Sequence, residues 1–301
     1  MGAASVVCVD RWENGIFYLN EDIGSDRRVV FKVADITDER ALDLLLAEHR
    51  PQVVFHAAAY KHVPLMQANP VEAIVNNVWG TLNVLQASLR HDVSNVVYVS
   101  TDKALNPVNV MGATKRLGEM LMEALASRSP KTVFTAVSFG NVIESNGSVM
   151  QTFRKQIATG GPVTVSHEDV TRFFMTIDEA SQLIIQSASL GKNREIFVLD
   201  MGEPVRIMDL ARSLIRATKP GVEIVVTGLR PGEKLYEELS YEPARVERTA
   251  NDKIFIVKDE KPFDYETFLA SIDELLRVAR RFELTPQQAV ERLRGYGFAI
   301  R

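Results

Sequence analysis

Thr101, Asp102 and Lys103 stand in a row inside STDKALNPVNVMGATK, the stretch from Ser100 to Lys115. A hydroxyl, a carboxyl group and an amine so close together can give and take protons on neighbouring atoms of one bound molecule. Lys115 falls on the first turns of a helical stretch and can reach back toward the same place. The same residue types also do structural work: Thr101 and Asp102 are good turn caps, and Lys103 could simply be solvated. Two more carboxylates close apolar runs, Asp10 with Arg11 beside it, and Asp35. Each could accept hydrogen bonds from a ligand's hydroxyl groups or cap the next element. His49, His91, His167 and Cys8 show no metal-ligand spacing.

The elements that must hold these residues alternate. Residues 5–9, 29–33, 53–57, 96–100 and 132–138 are apolar, strand-like runs. Residues 38–49, 71–90 and 112–126 have helical periodicity, with Pro51 closing the first of them. Ala57, Ala58 and Ala59 make a small-residue turn. Continuous apolar strands alternating with helices predict an α/β fold with a doubly wound, Rossmann-like parallel sheet. The Thr101–Lys103 triplet then lies at the carboxyl edge of that sheet, where such folds hold ligands. In that setting Asp10 would accept hydrogen bonds from adenosine ribose hydroxyls, while Arg11 could meet a 2′-phosphate instead. Asp35 would face adenine. Beyond residue 140, Pro162, Pro204, Pro220, Pro231 and Pro243 punctuate shorter elements. The expected division is a dinucleotide-binding domain of residues 1–142 and about 168–200, and a smaller substrate lobe of 143–167 and 201–301. The charged helical tail after Phe263 could serve a homo-oligomer interface or cover that lobe.

Composition narrows the classes. The chain holds 35 Lys+Arg against 39 Asp+Glu, a formal charge of −4, which does not suggest nucleic acid as a partner. A single cysteine forbids an internal disulfide and fits a reducing, cytoplasmic setting. Cys8 reads as a packed core thiol. No apolar run is long enough to cross a bilayer.

The sequence resembles the UDP-N-acetylglucosamine 4,6-dehydratases of capsule and O-antigen synthesis, within the extended short-chain dehydrogenase/reductases. The likeness is carried by HAAAYKHVPLMQANPVEAIVNNVWGT, STDKALNPVNVMGATK, FGNV, VTRFFMTI, VLDMGEPVRI and TGLRPGEKLYEEL. It implies that Thr101 hydrogen-bonds the sugar O4, Asp102 protonates the departing C6 hydroxyl and Lys103 is a base at C5. Lys115 would hold the nicotinamide ribose and favour loss of the O4 proton. It implies NAD or NADP as cofactor, bound by Asp10, Arg11, Asp35, Ala57, Ala58, Ala59 and Lys115. A UDP-sugar would meet Lys61, His62, Asn77, Asn141, Arg172, Arg206, Arg230 and Glu233. Asn77 would steady the active-site loops, and the arginines would clamp the diphosphate. Oxidation at C4 makes a ketone, the ketone acidifies C5–H, water leaves from C6, and hydride returns to C6. Most relatives in the wider superfamily carry tyrosine four residues before the lysine of Lys115; here Met111 stands there, as in a longer, membrane-anchored branch. Methionine cannot shuttle a proton. Lys115, Thr101 or a bound water is left to take the O4 proton. Ser138, Glu144 and Asn146 also depart from the family pattern, and an acid at residue 144 would be unfavourable beside a diphosphate.

Such a fold opens with a strand, a glycine-rich turn and a helix. No glycine cluster precedes Asp10, and Gly2 and Gly24 lack the required setting. The expectation is a sheet without its first, central strand, a gap in its place, lower stability and weak dinucleotide binding. Isothermal titration with NAD and NADP measures the last, and tight stoichiometric binding would refute it. Two other readings compete: a non-catalytic remnant that binds nucleotide sugar or a partner chain, and a nucleotide-sugar epimerase. The Asp102–Lys103 pair argues against the epimerase, because simple 4-epimerisation needs no acid for loss of water.

Overall fold

The structure is a computed structural model and describes residues 2–129, 131–239, 246–257 and 263–301. Pro243 lies outside the described residues. The chain begins β1 (Val6–Asp10), α1 (Glu13–Ile23), β2 (Val29–Val33), α2 (Glu39–His49), β3 (Val53–His56), α3 (Val63–Ala68) and α4 (Pro70–Ala73). A π-helical turn at Ile74–Trp79 leads into α5 (Gly80–Arg90), then β4 (Asn95–Val99), α6 (Val110–Ala126) and β5 (Val133–Ser138). The next elements are β6 (Asn141–Val142), α7 (Val149–Ala158), β7 (Val163–Val165), β8 (Thr171–Arg172), β9 (Phe174–Met175), α8 (Ile177–Leu190) and β10 (Glu195–Leu199). The last are β11 (Val205–Arg206), α9 (Ile207–Thr218), β12 (Ile224–Val226), β13 (Val246–Arg248), β14 (Ile254–Val257), α10 (Tyr265–Ala279) and α11 (Pro286–Arg294).

Six strands form the main sheet in the order β13-β14-β10-β5-β4-β3. The ladders β3·β4, β4·β5 and β5·β10 are parallel, and β14 and β13 close one edge antiparallel. Apolar runs such as Val96–Tyr98 are fully buried because helices cover both faces. On one face α5, α6, α10 and α11 share a core built on Leu85, Leu117, Leu121, Phe134, Ile272 and Leu293. On the other, α8 packs Ala180 and Leu183 over Val97, Val137 and Phe197. A small lobe has its own core of Phe153, Ile157, Val163, Val165, Ile207 and Ile215.

Two findings bear on the expected layout. β13 and β14 pair into the main sheet, and the C-terminal helices bury their apolar faces in its core rather than in that of the substrate lobe. The expected gap is present: β1 and β2 pair in parallel as a separate two-stranded sheet. Val53 and Phe55 on β3 and Val6 on β1 are exposed. The β1–β2 unit is tied to the rest by side chains. Trp79 Nε1 donates to Thr37 O at 3.1 Å and Asn83 Nδ2 to Ile36 O at 3.0 Å. Helix α1 has no buried residue, and its Phe17 and Tyr18 face solvent.

Candidate active site

Between β4 and α6 the chain makes a 3-10 turn at Asp102–Ala104. Thr101 caps it by accepting from Lys103 N at 3.4 Å, and its hydroxyl donates to Asp102 Oδ1 at 2.9 Å. Asp102 N donates to Phe139 O, which fixes the turn against the end of β5. Helix α6 starts at the cap Asn109, whose Oδ1 accepts from Gly112 N at 2.8 Å. It packs so tightly that a Cβ on Gly112 would sit 2.1 Å from Lys103 O. The capping and the chemical readings of Thr101 and Asp102 are therefore compatible, since capping is what sets the carboxylate in place.

Lys103 is not solvated. Its Nζ lies 2.9 Å from Asp102 Oδ1, 3.2 Å from Asn141 Oδ1 and 3.5 Å from Glu237 Oε1. Burial alone would lower the Lys103 pKa, but Asp102 and Glu237 outweigh it and raise the pKa, with Arg172 opposing. The amine is held as an ammonium ion. Asp102 Oδ2 and Glu237 Oε2 are buried, and among the described residues neither has a hydrogen-bond partner. Such bare oxygens are costly unless something completes them. Glu237 was not singled out from sequence; it sits in the quoted motif TGLRPGEKLYEEL, where nothing marks it from its neighbour Glu238.

Lys115 lies deeper, on α6. Its Nζ donates to Val99 O at 2.5 Å and stands 4.0 Å above the Tyr98 ring. Burial pulls its pKa down to about 7, with Glu119 opposing. Near neutral pH this amine can exchange a proton. Met111 is packed in the main core and offers no titratable group. His56 is also a packed residue, hydrogen-bonded to Thr81 Oγ1 at 2.8 Å, with its pKa depressed to about 3 by burial and then by Lys115.

The remaining expected residues separate into groups. Asp10 accepts from Trp12 N at 2.8 Å and caps its own turn. Asp35 accepts from the backbone and hydroxyl of Thr37, both at 2.8 Å. Burial would raise its pKa, but those bonds and Arg11 bring it below the usual value. The exposed Arg11 guanidinium is hydrogen-bonded to Asp35, Asn76 and Tyr60. Ala57 and Ala58 are exposed just past β3. Lys61 Nζ lies 3.3 Å from Ser145 Oγ, and burial lowers its pKa. His62 is lowered by burial and then by Lys61, and its ring lies against Gly147.

Asn77 is fully buried and ties the loop at Tyr60 to Thr114 on α6. The three expected clamps stand in different settings. Arg172 is spent on Thr171 O, Lys234 O and Glu233. Arg206 pairs with Asp169 on the exposed strand β11, and Arg230 also stands in an exposed stretch. Glu233 accepts from Ser166 Oγ and Arg230 N, which shapes the turn rather than facing outward. Glu144 pairs with Arg154 at 2.7 Å, which offsets its charge. Among the described residues no cluster of three or more His, Cys, Asp or Glu could hold a metal ion, and no helix is long and apolar enough to cross a membrane.

Residues 1–259 match the family model described as polysaccharide biosynthesis protein. The capsular polysaccharide biosynthesis protein CapD of Staphylococcus aureus is 43% identical over 291 residues, which is 92% of this chain and 49% of CapD. The probable polysaccharide biosynthesis protein EpsC of Bacillus subtilis is 50% identical over 241 residues, 78% of this chain and 40% of EpsC. The chain thus spans about half or less of these relatives. A UDP-glucose 4-epimerase of Rickettsia rickettsii is 37% identical over 74% of this chain and 67% of its own length. Among solved structures, Pen from Bacillus thuringiensis superposes with a TM-score of 0.80 at 33% identity, covering 87% of this chain and 81% of its own. The dTDP-glucose 4,6-dehydratase DesIV of Streptomyces venezuelae shares the fold, with a TM-score of 0.73 at 19% identity over 98% of this chain and 90% of DesIV. The chain belongs to the polysaccharide biosynthesis protein family, and its fold is that of the extended short-chain dehydrogenase/reductases.

Proposed function

We propose that the chain is the catalytic unit of a nucleotide-sugar 4,6-dehydratase, converting a UDP-N-acetylglucosamine-type substrate to a 4-keto-6-deoxy sugar for a surface polysaccharide. The observation that carries this reading is the buried Asp102–Lys103 pair, 2.9 Å apart at the carboxyl end of β4. Loss of water from C6 needs an acid at O6 and a base at C5, and the pair holds both groups. Their shared proton rests on Lys103, and the proposed elimination begins once bound substrate draws it to Asp102. On Lys103 it makes the ion pair described above. On Asp102 it leaves an amine for C5 and an acid for O6. Elimination then moves the C5 proton to Lys103 and the Asp102 proton to the departing hydroxyl, which restores the ion pair. Thr101 would hold O4, and the Lys115 amine would take the O4 proton above about pH 7.

The residues fit the nucleoside parts of NAD or NADP in part. Asp10 and Asp35 close β1 and β2, and the buried Lys115 amine lies past the end of β4. No described strand-to-helix turn carries a glycine cluster for the diphosphate. A bound nicotinamide would accept hydride from C4 and return it to C6. A second reading, 4-epimerisation of a UDP-sugar, draws support from the Rickettsia relative; it uses a base at O4 but has no need of Asp102 as an acid.

The test is incubation of the chain with UDP-N-acetylglucosamine and saturating NAD or NADP. A product lighter by one water, with a methyl group at C6, is expected. A C4 epimer of unchanged mass would favour the second reading. Deuterium uptake at C5 of a supplied UDP-4-keto-6-deoxy sugar reads the C5 base without added cofactor. A folded chain that neither releases water nor exchanges C5 would refute the proposal.

A further inference from the structure

We infer that Glu237 is a positioning residue for Lys103, the means by which the segment after the RPGEK turn aims that amine and sets its charge. The inference takes the meaning of Lys103 from the dehydratase reading, but its geometry stands alone. The Glu237 side chain is 4% exposed, and its Oε1 lies 3.5 Å from Lys103 Nζ and 3.6 Å from Arg172 Nε. It reaches there because its segment is docked from two sides. Lys234 Nζ donates to Leu105 O at 3.2 Å, just past the catalytic turn, and Asn109 Nδ2 donates to Gly232 O at 3.0 Å. Arg172 Nη2 donates to Lys234 O at 2.9 Å.

The charges around Lys103 are Asp102 from its own turn, Glu237 from this segment and Arg172 from β8, with Glu233 paired to Arg172. Asn141 Oδ1 adds a neutral acceptor. A lysine side chain is flexible, and one adjacent carboxylate fixes only its reach. Carboxylates contributed by two different segments fix its direction. Glu237 does this while leaving its Oε2 buried and, among the described residues, without a partner. A buried ion pair is weak evidence of stabilisation, so a positioning role accounts for that exposed cost better than a stabilising one.

The test is competitive labelling of the lysines with acetic anhydride across pH, read peptide by peptide by mass spectrometry, for the wild type, Glu237→Gln and Glu237→Asp. Removing an anion next to an ammonium lowers its pKa. The Lys103 midpoint is expected to fall by ~1 unit or more in Glu237→Gln, which makes it about tenfold more reactive below the midpoint. Glu237→Asp, its carboxylate drawn back, is expected to shift less and in the same direction, with Lys61 unchanged. Thermal melts identify the folded variants. If Glu237→Gln does not fold, Glu237→Asp decides. An unchanged Lys103 midpoint in a folded variant overturns the inference. A Lys103 midpoint that follows Glu237 in a chain that makes no 4-keto sugar leaves the inference standing and removes the dehydratase reading.

Discussion

At the residue scale, two lysines have opposite electrostatic settings. Lys103 sits among carboxylates and is held charged; Lys115 is buried under an aromatic ring, with its pKa brought down to about 7. Under the proposed dehydration, Asp102→Asn and Lys103→Met each remove one half of the acid–base pair, so turnover to the 4-keto sugar should fall by ~10²–10⁴-fold. Lys103→Met should also abolish C5 deuterium exchange, whereas Asp102→Asn should retain part of it. Lys115 makes a separate, purely thermodynamic prediction. The unfolded chain keeps this amine protonated up to its ordinary value of 10.5, while the folded chain releases the proton near 7. Between these values the unfolded state binds more protons, so stability rises with pH through that window. Lys115→Met removes the penalty of burying the amine. It should stabilise the fold by on the order of a few kcal/mol at pH 6.5 and by clearly less at pH 9.5, measured by urea melts. An equal gain at both pH values would mean that Lys115 is not buried as a neutral amine. That Thr101, Asp102 and Lys103 stand together past a strand was legible in the sequence, while the roles expected of them came from the family resemblance. Glu237 was not legible, since its meaning comes from a contact across more than a hundred positions of chain.

At the element scale, the site is a turn clamped between a strand end and a helix start. Helix α6 approaches the turn so closely that only glycine fits at position 112. In Gly112→Ala the new methyl group meets a backbone carbonyl, which cannot swing aside as a side chain would. The variant should lose ~1–3 kcal/mol of stability by urea melt. Its surviving folded fraction should also lose activity, because Lys103 moves with its carbonyl. Helices α2 and α6 were visible in the sequence to within two residues, since caps such as Asp38 lie beside regular apolar spacing. Helix α1 was missed. Its apolar residues, Ile16, Phe17, Tyr18 and Leu19, are consecutive rather than spaced along one face, and the structure leaves none of them fully buried.

At the scale of the whole molecule, the β1–β2 pair stands apart from the six-stranded sheet and is held by side-chain hydrogen bonds such as Trp79 to Thr37. A two-stranded sheet with exposed neighbours opens more readily than strands paired on both sides. Amide hydrogens of Val29–Val33 should exchange faster than those of Val96–Tyr98 and Phe134–Val137, and equal protection would show that the pair is locked to the main body. The sequence by itself determined the alternation of strands and helices and the carboxyl-edge position of Thr101–Lys103. These depend on local spacing and residue chemistry. Only the tertiary structure decided that Arg172 and Glu233 neutralise each other, that Asn77 has Tyr60 and Thr114 as its partners and that residues 246–257 join the main sheet. It alone brought Glu237 to Lys103. Those facts depend on which distant segments share one buried volume. There a charge must find a partner in three dimensions, whatever its position along the chain.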